Sequence, residues 1–194
     1  MSHPIADYAL LSDCHRAALV SRAGSVDWLC APRFDSPAVF GRLLDPDAGH
    51  WNIGPAGPYE SRRAYADGSL VLRTTFQGDE GEATLTDALA TGPNERGHAL
   101  GMEAPGALLR RVECTRGRMR LAFGFSPRPE YGLVHPVLEP CEGGVRSRGG
   151  PLSMVLSSPV ELEVDGSDAR AELELEEGDT LHFALHFRPA RSSA

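Results

Sequence analysis

The sequence predicts an all-β protein, an antiparallel β-sandwich with one short helix. Two segments near the C-terminus carry the strongest signal, because apolar and polar residues alternate strictly through residues 169–176 and 180–187. This alternation is typical of strands with one buried face. The 21 glycines and 15 prolines divide the rest of the chain into short runs, which favours many strands joined by turns.

The first quarter of the chain contains two short apolar strands and the helix. The strands are predicted at residues 17–21 and 26–31, joined by a tight turn at Ala23 and Gly24. The helix is expected at residues 38–44, because the preceding Asp-Ser-Pro offers a cap and a first-turn proline.

The central part of the chain predicts two hairpins. Residues 69–77 are rich in β-branched and aromatic side chains, and residues 82–90 follow after a Gly-Asp-Glu-Gly turn. Residues 107–115 and 119–125 flank an Arg-Gly-Arg turn. The segment between the two hairpins, residues 91–105, is expected to be a long mobile loop.

The last third predicts short strands bounded by Gly, Pro or Ser. They lie at residues 144–148, 152–157, 160–164, 169–176 and 180–187, and a Glu-Gly-Asp turn joins the last two. Glu172, Glu174 and Glu176 share a solvent face and are interpreted as protection against strand-to-strand association. Residues 1–190 are expected to form one β-sandwich domain, and residues 191–194 the start of a linker or the end of the chain.

Composition excludes several classes of function. The net charge of −8 argues against a nucleic-acid binder, which needs a basic face. No apolar run is long enough to span a membrane and no signal peptide is visible, so a cytoplasmic location is expected. The chain has no lysine, which excludes Schiff-base chemistry and a P-loop. No cofactor is expected.

Cysteines and histidines give no support for a metal site. The four cysteines show no C-x-x-C spacing, and Cys30 and Cys114 are interpreted as buried thiols; a disulfide between Cys14 and Cys30 is the alternative. His182 and His186 fall on one predicted strand, about 13 Å apart, which is too far to share an ion.

Four residues in the second strand and the loop that follows it are the candidate contacts to a sugar or to a neighbouring domain. Trp28 and Phe34 offer aromatic faces for sugar C–H groups, and Arg33 and Asp35 offer charged hydrogen-bond partners for hydroxyls. The alternative is that the aromatic rings pack in the core or an interface and that the ion pair orders the loop. No pair of acidic residues stands out as a catalytic acid and base.

The first 45 residues closely resemble the start of family 15 glycoside hydrolases, the glucoamylase and trehalase type. The resemblance continues more weakly along the chain, through the Gly-Gly-Pro at residues 149–151 and the turn at residues 176–179. The matching positions in the first part are residues 7–10, 13–14, 17–22, 24–30, 32–37 and 43–45.

The resemblance implies a super-sandwich domain that precedes a helical catalytic barrel in the same polypeptide. Such enzymes hydrolyse α-glucosidic bonds of trehalose or maltodextrins with inversion, using two glutamates of the barrel. No position of this chain matches those glutamates, so the chain by itself is expected to be inactive. Two alternatives remain open, a self-standing carbohydrate-binding module that touches an α-glucoside and a purely structural domain.

Overall fold

The computed structural model describes residues 4–93 and 95–190 and confirms the all-β prediction. Within these residues the chain forms fifteen strands and two single-turn 3-10 helices, Ile5–Asp7 and Gly97–Ala99. The strands are β1 Tyr8–Ser12, β2 Ala17–Ser21, β3 Ser25–Cys30, β4 Ala38–Phe40, β5 His50–Pro55, β6 Glu60–Tyr65, β7 Leu72–Gln77, β8 Gly81–Leu89, β9 Ala107–Ser126, β10 Val137–Cys141, β11 Gly144–Arg148, β12 Leu152–Ser157, β13 Glu163–Asp165, β14 Asp168–Glu176 and β15 Thr180–Pro189.

The strands form two antiparallel sheets that share the long strand β9. The first sheet has the order β1-β2-β3-β5-β9-β14-β13, with β4 beside β5 on the same edge of β3. The second has the order β6-β7-β8-β9-β15-β12-β11-β10. The sheets pack face to face, and the core lies between them, as in a β-sandwich.

Alternating burial within the strands builds this core. In β15, Phe183, Leu185 and Phe187 point inward while His182 and His186 are exposed, as predicted. The ring of Phe183 stacks on Phe123 of β9 at a centroid distance of 5.1 Å. The two strands of the predicted first hairpin also pair as expected, β7 with β8.

The predicted second hairpin is wrong, because residues 107–126 form one continuous strand. The N-terminal half of β9 pairs with β8 and β15, and its C-terminal half pairs with β5 and β14. Gly117, with φ of 64°, bends the strand between the two sheets instead of reversing it. The Glu-Gly-Asp turn likewise passes from β14 in the first sheet to β15 in the second.

The predicted helix at residues 38–44 is also wrong. Ala38, Val39 and Phe40 are all buried, which suits a strand covered on both faces, whereas a helix would expose part of the run. Phe40 packs edge to face on Phe125 at 6.0 Å, and the carbonyl of Val39 accepts a hydrogen bond from the backbone N–H of Arg128. Tertiary contacts therefore override the cap-like Asp-Ser-Pro signal.

Further expectations concern the loop at residues 91–105, the cysteines, the glutamates of β14 and the C-terminal segment. The described part of residues 91–105 contains no strand, and the Glu95 carboxylate accepts hydrogen bonds from the backbone N–H groups of Gly92, Gly101 and Glu103. Cys30 and Cys114 are buried free thiols, so the Cys14–Cys30 disulfide is not formed. The glutamates of β14 are exposed, as predicted. The segment 191–194 lies outside the described residues.

In residues 4–93 and 95–190 no helix is long and apolar enough to cross a membrane.

Candidate functional site

The structure places the four sequence-predicted residues around β3 and the loop that follows it. Arg33 and Asp35 form an exposed ion pair with an Nε–Oδ1 distance of 3.1 Å. Phe34 between them is 63% exposed, and its backbone N–H donates to the carbonyl of His15. Trp28 is half-buried, with its ring 6.4 Å from that of Tyr131. Both members of this ion pair and the ring of Phe34 are exposed to solvent.

A β-bulge in β3 determines what the outer face of the first sheet presents. Val20 of β2 lies opposite Val26, and Leu19 opposite Trp28, so Asp27 is the extra residue. Val26 points into the core, whereas Asp27 and Trp28 follow it on the outer face. In a regular strand the Asp27 and Trp28 side chains would point to opposite faces of the sheet. The bulge places both on the outer face.

Next to this bulge the outer face of the first sheet forms a polar groove of about 970 Å³. Small residues make its floor across β3, β5 and β9, since Ser25 lies opposite Asn52 and Asn52 opposite Gly124. The lining residues that carry polar or aromatic side chains include Tyr8, Asp27, Arg42, His50, Tyr59, Arg128, His135, Asp168 and Arg170.

Asp27 is buried at one end of the groove and is held by two hydroxyl groups. Tyr8 Oη donates to Oδ2 at 2.9 Å, and Ser25 Oγ donates to Oδ1 at 2.5 Å. Burial, followed by the negative charge of Asp27 and the hydrogen bond to it, raises the pKa of Tyr8 well above its usual range. Tyr8 therefore stays a neutral donor that fixes the Asp27 carboxylate.

His50 lies over the middle of the groove and is neutral at physiological pH. Burial lowers its pKa to about 4, and the nearby charge of Arg42 acts in the same direction. Asp27 and Asp168 oppose this shift without reversing it. The neutral imidazole has one donor nitrogen and one acceptor nitrogen.

The far wall of the groove is an ion pair between β14 and the segment after β9. Nη2 of Arg128 lies 2.9 and 3.1 Å from the two carboxylate oxygens of Asp168, and its Nη1 donates to the carbonyls of Pro127 and Ser167. Burial would raise the pKa of Asp168, but hydrogen bonds from Ser126 and Arg128 outweigh it and lower the pKa. Asp168 is therefore a carboxylate, not a proton donor.

Several polar side chains of the groove make no hydrogen bond to the rest of the described chain, among them the imidazole of His50 and the half-buried guanidinium of Arg42. Both retain hydrogen-bonding groups that face the groove. Among residues 4–93 and 95–190, no group of three or more His, Cys, Asp or Glu side chains is arranged to hold a metal ion.

Sequence reasoning missed the groove because its residues come from six separate strands and from four of the loops between strands. One local signal was present. Ser25 and Asp27 are polar on either side of buried Val26, so this part of the strand carries polar residues on its outer face. The contributions of His50, Arg128 and Asp168 required the sheet order.

Comparison with known proteins places the chain beside trehalases. The family model described as trehalase-like, N-terminal, matches residues 1–188. A trehalase of Mycolicibacterium smegmatis is 39% identical over 200 residues, and the match covers 94% of this chain and 30% of that protein. A trehalase of Mycobacterium tuberculosis is 36% identical, with 94% and 29% covered.

An archaeal relative extends the similarity. Trehalase 2 of Sulfolobus acidocaldarius is 42% identical over 142 residues, which cover 72% of this chain and 21% of that protein. The chain thus spans 30% or less of the length of each of these three relatives.

Proposed function

This chain belongs to the trehalase-like N-terminal family, and on that premise we propose that it is the non-catalytic N-terminal domain of a glycoside hydrolase. The parent enzyme hydrolyses α-glucosidic bonds of trehalose or maltodextrins with inversion, in the manner of family 15. The observation that carries the proposal is the family match over residues 1–188, together with relatives called trehalases that are roughly three times as long. The catalytic barrel follows in the same polypeptide.

An apolar strip on the outer face of the first sheet supports docking onto that barrel. Leu10, Leu19 and Trp28 lie opposite one another across β1, β2 and β3, and Tyr131 packs beside Trp28. Leu10 is 44% exposed and Tyr131 is 52% exposed. Such a row of neighbouring apolar side chains is typical of a protein interface rather than of free surface.

Exposed apolar side chains in the adjoining loops enlarge this surface. Phe34, Leu44 and Leu133 are 63%, 69% and 85% exposed. The covering partner that we propose is the catalytic barrel of the same polypeptide. The relatives are much longer than the part that this chain matches, which leaves room for such a domain. In this arrangement the Arg33–Asp35 loop approaches the mouth of the active site.

The test is the substitution Arg33→Ala in a full-length enzyme that contains this domain. We expect kcat/KM for trehalose to fall on the order of tenfold, because a charged hydrogen bond near the substrate is lost. Arg73→Ala is the matched control, since Arg73 is an exposed arginine on β7, in the second sheet. Unchanged kcat and KM in the Arg33 variant would show that the loop does not lie at the mouth of the active site.

A further inference from the structure

We propose that the groove on the outer face of the first sheet binds a neutral polyhydroxylated ligand, and in the parent enzyme a glucose disaccharide or a short α-glucan. The chemical class of the ligand follows from the groove itself. Its identity as a glucoside rests on the proposed function.

The charges of the groove balance, which selects a neutral ligand. Arg42, Arg128 and Arg170 supply positive charge, and the carboxylates that line the same groove are Asp27, Asp47 and Asp168. An anion would be repelled by the carboxylates and a cation by the guanidinium groups. A neutral polar molecule gains hydrogen bonds to both kinds of group.

The free hydrogen-bonding capacity of the groove matches hydroxyl groups, which both donate and accept. Arg42 offers only donors, and neutral His50 offers one donor and one acceptor. Asp27 accepts from Tyr8 and Ser25 and retains further lone pairs. A sugar ring carries several hydroxyls around its edge and can satisfy these groups together.

The shape of the floor admits a flat ring. Ala122 and Gly124 bring the backbone of β9 to the surface, since their side chains are small or absent. Tyr8 and Tyr59 stand at the walls, where an aromatic face can pack on the C–H surface of a sugar. The volume of about 970 Å³ lies within the range of small-ligand sites.

The side chains of the groove are held in place before any ligand arrives. The Tyr8–Asp27–Ser25 hydrogen bonds fix one end, and the Arg128–Asp168 pair fixes the other. Preorganised partners reduce the entropy that binding costs, which favours a binding site over a passive polar surface.

The groove is tested by titrating the 194-residue chain with trehalose and maltose, followed by ¹⁵N–¹H NMR. We expect saturable shifts of the Gly54, Ala122 and Gly124 amides with a Kd on the order of 1 mM. Inorganic phosphate, the anionic probe, should leave these amides unshifted. Absence of saturable sugar shifts would overturn the proposal, and so would phosphate binding with comparable affinity.

A blocking variant ties any binding to the groove. A Cβ at Gly124 would meet only Nε2 of His50, at 3.9 Å, so a side chain at this position enters the groove, and Gly124→Val fills its floor. It should weaken sugar binding at least tenfold, while Ser153→Val, on an exposed position of β12, leaves it unchanged. Equal binding by both variants would place the sugar elsewhere and contradict the proposal.

This result is independent of the test of the parent enzyme. Loss of turnover in the Arg33 variant without sugar binding by the isolated chain would retain the proposed function and reject the groove site. Sugar binding by the isolated chain, together with an Arg33 variant of unchanged activity, would retain the groove site and reject the placement of the Arg33–Asp35 loop at the active-site mouth.

Discussion

Arg110 and Asp87 form an ion pair in which neither side chain has any solvent exposure. Arg110 Nε lies 2.8 Å from Asp87, and its two Nη groups donate to the carbonyls of Trp51 and Gly24. Asp87 and Arg110 belong to the second sheet, whereas the two carbonyls belong to the first sheet and its β2–β3 turn. The guanidinium therefore connects the two layers through the core.

Removing the acidic partner should destabilise the protein strongly. Asp87→Ala leaves a buried guanidinium charge without its counter-ion, and we expect a loss of about 3–5 kcal/mol in the free energy of unfolding, measured with urea. Glu176→Ala removes the partner of exposed Arg118 and should cost less than about 1 kcal/mol. Similar losses in the two variants would show that the buried ion pair contributes no more to the free energy of unfolding than an exposed one.

His50 should make stability depend on pH. Its folded-state pKa is about 4, below the ordinary value of 6.5, through burial and the charges of Arg42 and Arg128, against those of Asp27 and Asp168. The folded state binds the proton more weakly, so this contribution is complete above pH 6.5. It falls by up to about 3 kcal/mol as the pH drops towards 4.

The measurement is the free energy of unfolding at pH 7 and pH 4.5 for wild type and His50→Gln. The variant should lose less stability over this interval, because it has no imidazole to protonate on unfolding. Asp168 does not interfere, since stability from a carboxylate with a lowered pKa is lost only as pH falls below its unfolded value near 3.8. His182→Gln, on the exposed face of β15, is the control and should behave as wild type.

At the scale of the element, β9 organises the fold because it takes part in both sheets. Its bend at Gly117 has φ of 64°, and a Cβ there would lie 2.3 Å from the carbonyl oxygen of Glu80. Both features disfavour any residue with a side chain. The bend is therefore the point at which β9 passes from the second sheet to the first.

Substitution of this glycine tests that role. Gly117→Ala should lower stability by about 1–3 kcal/mol, since it adds backbone strain and a steric clash, and thermal unfolding would report the loss. Gly57→Ala is the control, because a Cβ there meets nothing within 4 Å and its φ is not in the left-handed region. A neutral Gly117 variant would mean that the bend tolerates a side chain.

At the scale of the whole molecule, the chain should not hydrolyse glucosides by itself. Hydrolysis needs one carboxyl group that donates a proton and one that acts as base or nucleophile. In the groove Asp168 is kept ionised by Arg128, and the Asp27 carboxylate accepts from two hydroxyls. With its pKa lowered, Asp168 does not provide the proton donor.

Purified chain incubated with trehalose or maltose should therefore release no glucose above the buffer background. The full-length parent, assayed at the same molar concentration, is the positive control. Glucose release by the isolated chain that Asp27→Asn abolishes would contradict this prediction and place catalysis in the groove.

The fold class and most of the strands can be predicted from the sequence, because alternation with period two is a local property. A long ordered run of matching residues before residue 50 also pointed to trehalase-like proteins, and the match to the trehalase-like N-terminal family confirms that part of the prediction. A hint of the buried ion pair was present, since Arg110 falls in phase with Leu108 and Val112 in the alternation of its strand.

The pairing of the strands could not be predicted in the same way. The Asp-Ser-Pro cap signal is local, but residues 38–40 gain more by burial between β3 and the segment after β9 than a short helix would provide. The bend of β9, the bulge at Asp27 and the groove depend on which strands are neighbours. Sheet pairing joins residues far apart in the chain, and local sequence patterns carry no information on that choice.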